Sequence, residues 1–172
     1  MDSEVETFIF APDGEIPNSP LPLILYGHAL PPELQNAAGC QALFRENGWG
    51  GNWLDGIFDY WHFHVTGHEV LGCVEGEAEV GFGGDRGAKV TFAAGDVVAI
   101  PAGVGHKRLS ERRGGFIVVG GYPPGQNGAI TRPGEIDPDK AREMIAGLAL
   151  PRGDPIFGPD GPLIAAWGIR QT

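Results

Sequence analysis

Histidine is scarce in this chain, with 5 residues among 172, and four of the five, His62, His64, His68 and His106, fall inside two short clusters. The first cluster runs Gly56-x5-His62-x-His64-x4-Glu69-x6-Gly76; the second runs Gly95-x5-Pro101-x-Gly103-x2-His106. Matching glycines adds little, because 29 of the 172 residues are glycine, against an ordinary share of about 7%. The histidines carry the pattern. His62 and His64 lie two apart, and strand side chains alternate between faces, so both imidazoles point to one side of a sheet and can grip one ion. Glu69 follows His64 at an odd offset that an unbroken strand would send to the opposite face. The stretch Val65-Thr66-Gly67-His68 must therefore contain a turn or bulge, with Gly67 as its pivot. Gly95-Asp96 reads as a turn feeding the strand Val97 to Ile100, after which Pro101 to Gly105 bends the chain ahead of His106. A chain so constrained must curl short strands until three imidazoles and one carboxylate meet, as a mononuclear transition-metal centre requires.

The rest of the chain agrees with a β architecture. Strands are expected near 57–64, 69–75, 77–82, 88–93, 97–100, 105–110 and 115–122, punctuated by Gly76, Gly83-Gly84, Gly95 and Gly114-Gly115. Two strand-like arms, Thr7 to Phe10 and Leu21 to Tyr26, precede them. Cys40, Leu43 and Phe44 recur at helical intervals before Asn47-Gly48, which predicts a helix over 37–47. A second helix starts at Asp137 as cap and Pro138 as first residue, with Ala141, Met144, Ile145 and Leu148 as its apolar stripe. Leu163 to Trp167 reads as a terminal strand or docking segment. With no repeat, charge block or low-complexity linker, the chain reads as one domain over 1–172. Residues 1–55 form an N-terminal arm and helix, 56–122 the barrel core, and 123–172 a C-terminal helix and tail.

At its two clusters the chain resembles the cupin superfamily, whose motifs are G-x5-H-x-H-x3-4-E-x6-G and G-x5-P-x-G-x2-H-x3-N. The first is matched from Gly56 to Gly76. The second is matched from Gly95 to His106, with Ser110 in place of the closing Asn. Leu43 to Gly51, His68 to Gly72 and the segment through His106-Lys107 are similar to small bacterial cupins of the YjlB type. The resemblance implies an all-β, double-stranded β-helix (jelly-roll barrel) with two short flanking helices. It also implies metal ligation by His62, His64, Glu69 and His106, and dioxygenase-type chemistry ahead of decarboxylation or isomerisation. His68 occupies the shorter spacing that the family pattern also permits for its acidic ligand; the x6 interval to Gly76 favours Glu69.

Three imidazoles and a carboxylate suit one divalent ion of Fe, Mn, Ni, Zn or Cu. Tyr60 shares strand parity with His62 and His64, so its hydroxyl is a candidate to orient a substrate or donate a proton, with His68 as the second catalytic candidate. Phe58 and Leu71 read as core filling, Cys73 as a small core hydrophobe, and His28 as structural or surface. Trp49 and Trp53 either cover the barrel mouth or pack the first helix. The formal net charge of −10 argues against nucleic acid and anionic membrane surfaces as partners. The acidic start lacks a leader pattern and no apolar run is long enough to span a bilayer, so a cytoplasmic location is expected. Two cysteines are too few for a disulfide framework. A small-molecule substrate is the expected partner, with a non-catalytic metal and ligand-binding module as the alternative. The uncovered arms, and the barrel pairing common in cupins, predict a homodimer.

Overall fold

The computed structural model describes residues 4–170. Its strands are β1 (Glu4–Phe10), β2 (Ser19–Gly27), β3 (Gly50–Asp55), β4 (Phe63–His64), β5 (Glu69–Phe82), β6 (Ala88–Ala93), β7 (Val97–Ile100), β8 (His106–Arg108), β9 (Arg113–Tyr122) and β10 (Ile130–Thr131). Three short helices accompany them: α1 (Ala37–Glu46), α2 (Pro138–Ala146) and α3 (Pro162–Ala166). All pairings are antiparallel; the main sheet runs β1-β2-β7-β5-β9-β3, with β6 and β8 also on β5, and β10 pairs β4. Curled on itself, this is a jelly roll.

The long strand β5 makes the curl. Its first part, from Glu69 to Gly72, lies between β7 and β9, and its second part, to Phe82, lies between β6 and β8. The change of partners falls at Gly76, which has φ 70° and where a Cβ would collide with the backbone of Arg113 and Phe116. Register shifts against β9 fall between Cys73 and Glu75 and again between Glu75 and Glu77, so the strand bends without ending. The expected break into 69–75 and 77–82 is therefore one continuous strand with a corner.

Alternation divides two apolar layers. Leu23, Leu25, Leu71, Cys73, Val98, Ile100, Phe116 and Val118 fill the barrel interior. Their neighbours Ile24, Tyr26, Val70, Val97, Ala99 and Val119 face outward, yet they too are buried, beneath Cys40 and Phe44 of α1, Trp49, Leu163 of α3 and Trp167. Strands covered on both faces read as continuous apolar runs, as Leu23-Ile24-Leu25 and Val97-Val98-Ala99-Ile100 do. Asn36 caps α1 by accepting from the Gly39 N–H, and Asp137 caps α2 by accepting from the Lys140 N–H. The C-terminal tail is anchored by a buried carboxylate: Asp154 accepts from Tyr26 Oη at 2.7 Å and from the N–H groups of Ile156, Phe157 and Leu163.

Several local expectations change. Residues 57–62 lie outside the strands, with only Phe63–His64 in β4. Leu163–Trp167 is a short helix and its C-cap, docked on the sheet, and gives the fold a third helix. On α2 only Ala141 is buried; Met144 points to solvent. No helix among the described residues is long and apolar enough to cross a membrane.

Candidate metal centre

His62, His64 and His106 meet at one end of the barrel, each buried, with one ligand atom apiece within 4.8 Å of the others. Long-range pairing places them. His62 and His106 exchange backbone hydrogen bonds, N–H to carbonyl, at 3.2 and 2.9 Å, which brings their rings to a centroid distance of 4.1 Å. His64 is fixed by the β4–β10 ladder, and its carbonyl accepts from the Gly103 N–H at 2.8 Å. Glu69 opens β5 opposite Ile100. The turn between His64 and Glu69 works by close approach: Gly67 has no positive φ, but a Cβ there would strike the Asn127 carbonyl oxygen. Ser110, which replaces the motif's Asn, ties the following loop to β5 by accepting from the Glu79 N–H.

The hydrogen bonds of the rings define the donor set. His62 Nδ1 lies 3.1 Å from Tyr60 O, His64 Nδ1 3.1 Å from Ala129 O, and His106 Nδ1 3.1 Å from Val104 O. A carbonyl only accepts, so in each ring the proton sits on Nδ1 and Nε2 keeps its lone pair. Glu69 Oε1 stands 3.1 Å from Nε2 of His64 and 3.4 Å from Nε2 of His106. Lone pairs and a carboxylate cannot rest against one another unless a cation or a proton lies between them. A divalent ion fits this donor set, and carbonyl-oriented imidazoles are the usual support of one.

Without an ion, protons take its place. Burial works against a charge on His64, but Glu69 and two backbone carbonyls outweigh it and raise its pKa. Burial likewise opposes charge on Glu69, and His64 with His106 more than offsets it, holding the carboxyl well below the usual carboxylate range. His62 is pushed down to about 3, by burial first and by His106 second, so it stays neutral and available as a ligand.

The centre opens into a cavity of about 320 Å³ whose walls include Trp53, Ile57, Phe58, Leu71, Tyr122 and Ile130. Tyr122 escaped the sequence reading. Its hydroxyl donates to Glu69 Oε2 at 2.8 Å and accepts from Trp53 Nε1 at 2.6 Å; burial, then the Glu69 charge, pushes its pKa up. Inward Phe116 and Val118 share its parity on β9, a signal that would have found it.

The two expected proton-transfer residues sit elsewhere. Tyr60 is not part of the cavity lining: with no strand over 57–62 the parity argument has no footing, and its ring stacks on Phe58 at 5.0 Å beneath the Arg132 guanidinium at 4.0 Å. His68, just ahead of β5, packs instead against Trp167 of the outer apolar layer. Its Nδ1 accepts from the Ala102 N–H at 2.9 Å, its ring lies 5.0 Å from Trp167, and burial lowers its pKa to about 4. Trp49 packs under α1 and donates to Gly153 O, whereas Trp53 lines the cavity. Cys40 and Cys73 are buried free thiols, both raised to about 12 by burial, and His28 is exposed.

A jelly roll with a histidine trio from these two motifs at its mouth has the architecture of a cupin. No family model matches the chain. The uncharacterized protein YjlB of Bacillus subtilis (strain 168) is 39% identical over 168 residues, covering 97% of this chain and 99% of YjlB; the chain belongs to the YjlB-type cupins. Among solved structures, an acireductone dioxygenase from Bacillus anthracis with a cadmium ion in its active centre is 16% identical, with TM-score 0.42 over 60% of this chain and 77% of that one. A cupin 2 domain-containing protein from Halorhodospira halophila is 14% identical, with TM-score 0.36 over 88% and 86%. These two likenesses are too distant to carry an argument about activity.

Proposed function

We propose that this protein holds one divalent transition metal through Nε2 of His62, His64 and His106 together with Glu69, and acts as a small metalloenzyme on a molecule that reaches the ion through oxygen. Dioxygenase-type chemistry stands ahead of decarboxylation or isomerisation, an ordering that leans on the family alone. The observation that carries the metal reading is the three Nδ1 to carbonyl bonds, which leave Nε2 free on three rings whose ligand atoms lie within 4.8 Å of one another, two of them beside the Glu69 carboxylate. A bound ion would act as a Lewis acid that polarises substrate oxygens. Tyr122 holds Glu69 in place, and Ile57 and Leu71 limit water at the floor. Tyr60 and His68, being outside the cavity, would act through the positions of His62 and of the Ala102 backbone.

Elemental analysis of protein purified without added metal tests the first half: one equivalent of a transition metal is expected, and a metal-free protein that binds none on addition rejects it. Dioxygen uptake against catechols, enediols and 1,3-dicarbonyls tests the second. Ligand binding with no turnover across such a panel would favour the non-catalytic module.

A further inference from the structure

The cavity has a polar floor and walls that offer a ligand very little. Every side-chain donor that lines it already has an acceptor in the protein. Trp53 Nε1 donates to Tyr122, the Tyr122 hydroxyl donates to Glu69, and each imidazole Nδ1 donates to a carbonyl. Apart from Asp55 at the mouth and the floor residues, the lining side chains are apolar, and no lysine or arginine is among them. Arg132 lies over the Tyr60 ring and Arg112 against Gly56; neither lines the cavity. The rim adds a second observation. Phe58 and Ile130, both lining residues, keep 43% and 41% of their surfaces in water, so the apolar wall runs from the cavity out to the protein surface.

Resting on the metal reading above, we infer that the ligand of this site is a small molecule with one oxygen-donor head, bound at the ion, and an uncharged apolar body that fills the cavity and covers Phe58 and Ile130. A hydroxylated body such as a sugar's would give up water without finding donors, at a cost of roughly tenfold or more in affinity per buried hydroxyl. A second anionic group would meet the Asp55 carboxylate, and the nearest guanidinium, that of Arg112 against Gly56, is not part of the lining. A head that displaces nothing but water from the ion, followed by a chain of methylenes or a ring, matches both halves of the cavity.

The test uses full-length protein loaded with Co(II) and titrated with n-alkyl hydroxamates from acetohydroxamate to octanohydroxamate, followed by the cobalt visible spectrum. Affinity should rise about fourfold per methylene, the figure for burying a CH₂, until the chain outgrows the cavity, and gluconohydroxamate should bind no better than acetohydroxamate. A flat alkyl series, or gluconohydroxamate tighter than its alkyl counterpart, overturns the inference while leaving the metal in place. Failure of the protein to bind Co(II) at all sinks the metal reading, whereas bound cobalt whose spectrum no hydroxamate perturbs overturns the ligand class alone. Ile130→Asn, a change at the exposed rim, should flatten the series when each affinity is taken relative to acetohydroxamate on the same variant; an unchanged slope in that variant and in Phe58→Ser counts against the inference.

Discussion

Replacing Tyr122 by Phe removes one oxygen and two hydrogen bonds. The bond to Glu69 is buried and charge-assisted, a class worth about 1.5–3 kcal/mol, while the bond from the half-buried Trp53 Nε1 is neutral and worth about 0.5–1.5 kcal/mol. Both vacated positions border the open cavity, so water can re-enter and take over part of each bond. The sum then falls toward its lower end, about 2 kcal/mol. For a chain of this size that corresponds to a melting temperature lower by about 4–8 °C. Urea unfolding of metal-free protein in a chelator measures it. A loss below about 0.5 kcal/mol for Tyr122→Phe would refute the claim that the hydroxyl fixes Glu69. Zinc affinity gives an independent reading: losing the group that orients a ligand should weaken binding by roughly tenfold or more.

His64→Ala and His106→Ala should each abolish stoichiometric metal in elemental analysis, and His28→Ala should leave it unchanged; one equivalent retained by both ligand variants would sink the site. Glu69→Gln should weaken metal affinity more than His68→Ala in the same titration, because the carboxylate neutralises part of the ion's charge while His68 faces away. His68, lowered from 6.5 to about 4 by burial, stays neutral in the folded chain while the unfolded chain takes up a proton below 6.5, so stability falls as pH drops through that window. Between pH 7.5 and pH 5 its share is roughly 2 kcal/mol, and His68→Gln should reduce the loss by about that amount in chelator-treated protein. Light scattering should give twice the 18.2 kDa chain mass, with β1, the end of the main sheet's strand order among the described residues, as the seam; a monomer mass unchanged on dilution rejects the dimer.

What the sequence made legible was the part governed by local rules. The caps Asn47-Gly48 and Asp137-Pro138 marked helix ends, and alternation put His64 among inward residues. What it hid was set by distant partners. His62 meets His64 as expected, but its direction comes from its backbone exchange with His106, so the same parity does not carry back to Tyr60, which lies outside the cavity lining. Gly76 looked like a stop because glycine usually punctuates strands, whereas here its positive φ makes a corner and register shifts before and across it carry the strand on. Nothing local marks Asp154 in its Pro- and Gly-rich tail, because one of its four donors is Tyr26, far away in sequence. α3 is too short for a helical period to show.

The corner in β5 also sets an order of events. Glu69 begins the strand, and the partner residues of His106 and Arg108 are Phe82 and Val80 at its far end. The trio therefore assembles only when this strand has bent, β8 has returned to it, and His106 has met His62 through their exchanged backbone bonds. On a ribosome, the segment holding His62, His64 and Glu69 emerges while His106 is still unmade, so any ion held early is held by an incomplete set of ligands. The mature site and the closed barrel arrive together. Uptake of metal by refolding protein should thus report closure of the roll, with the same time constant as burial of Phe82 and Phe116.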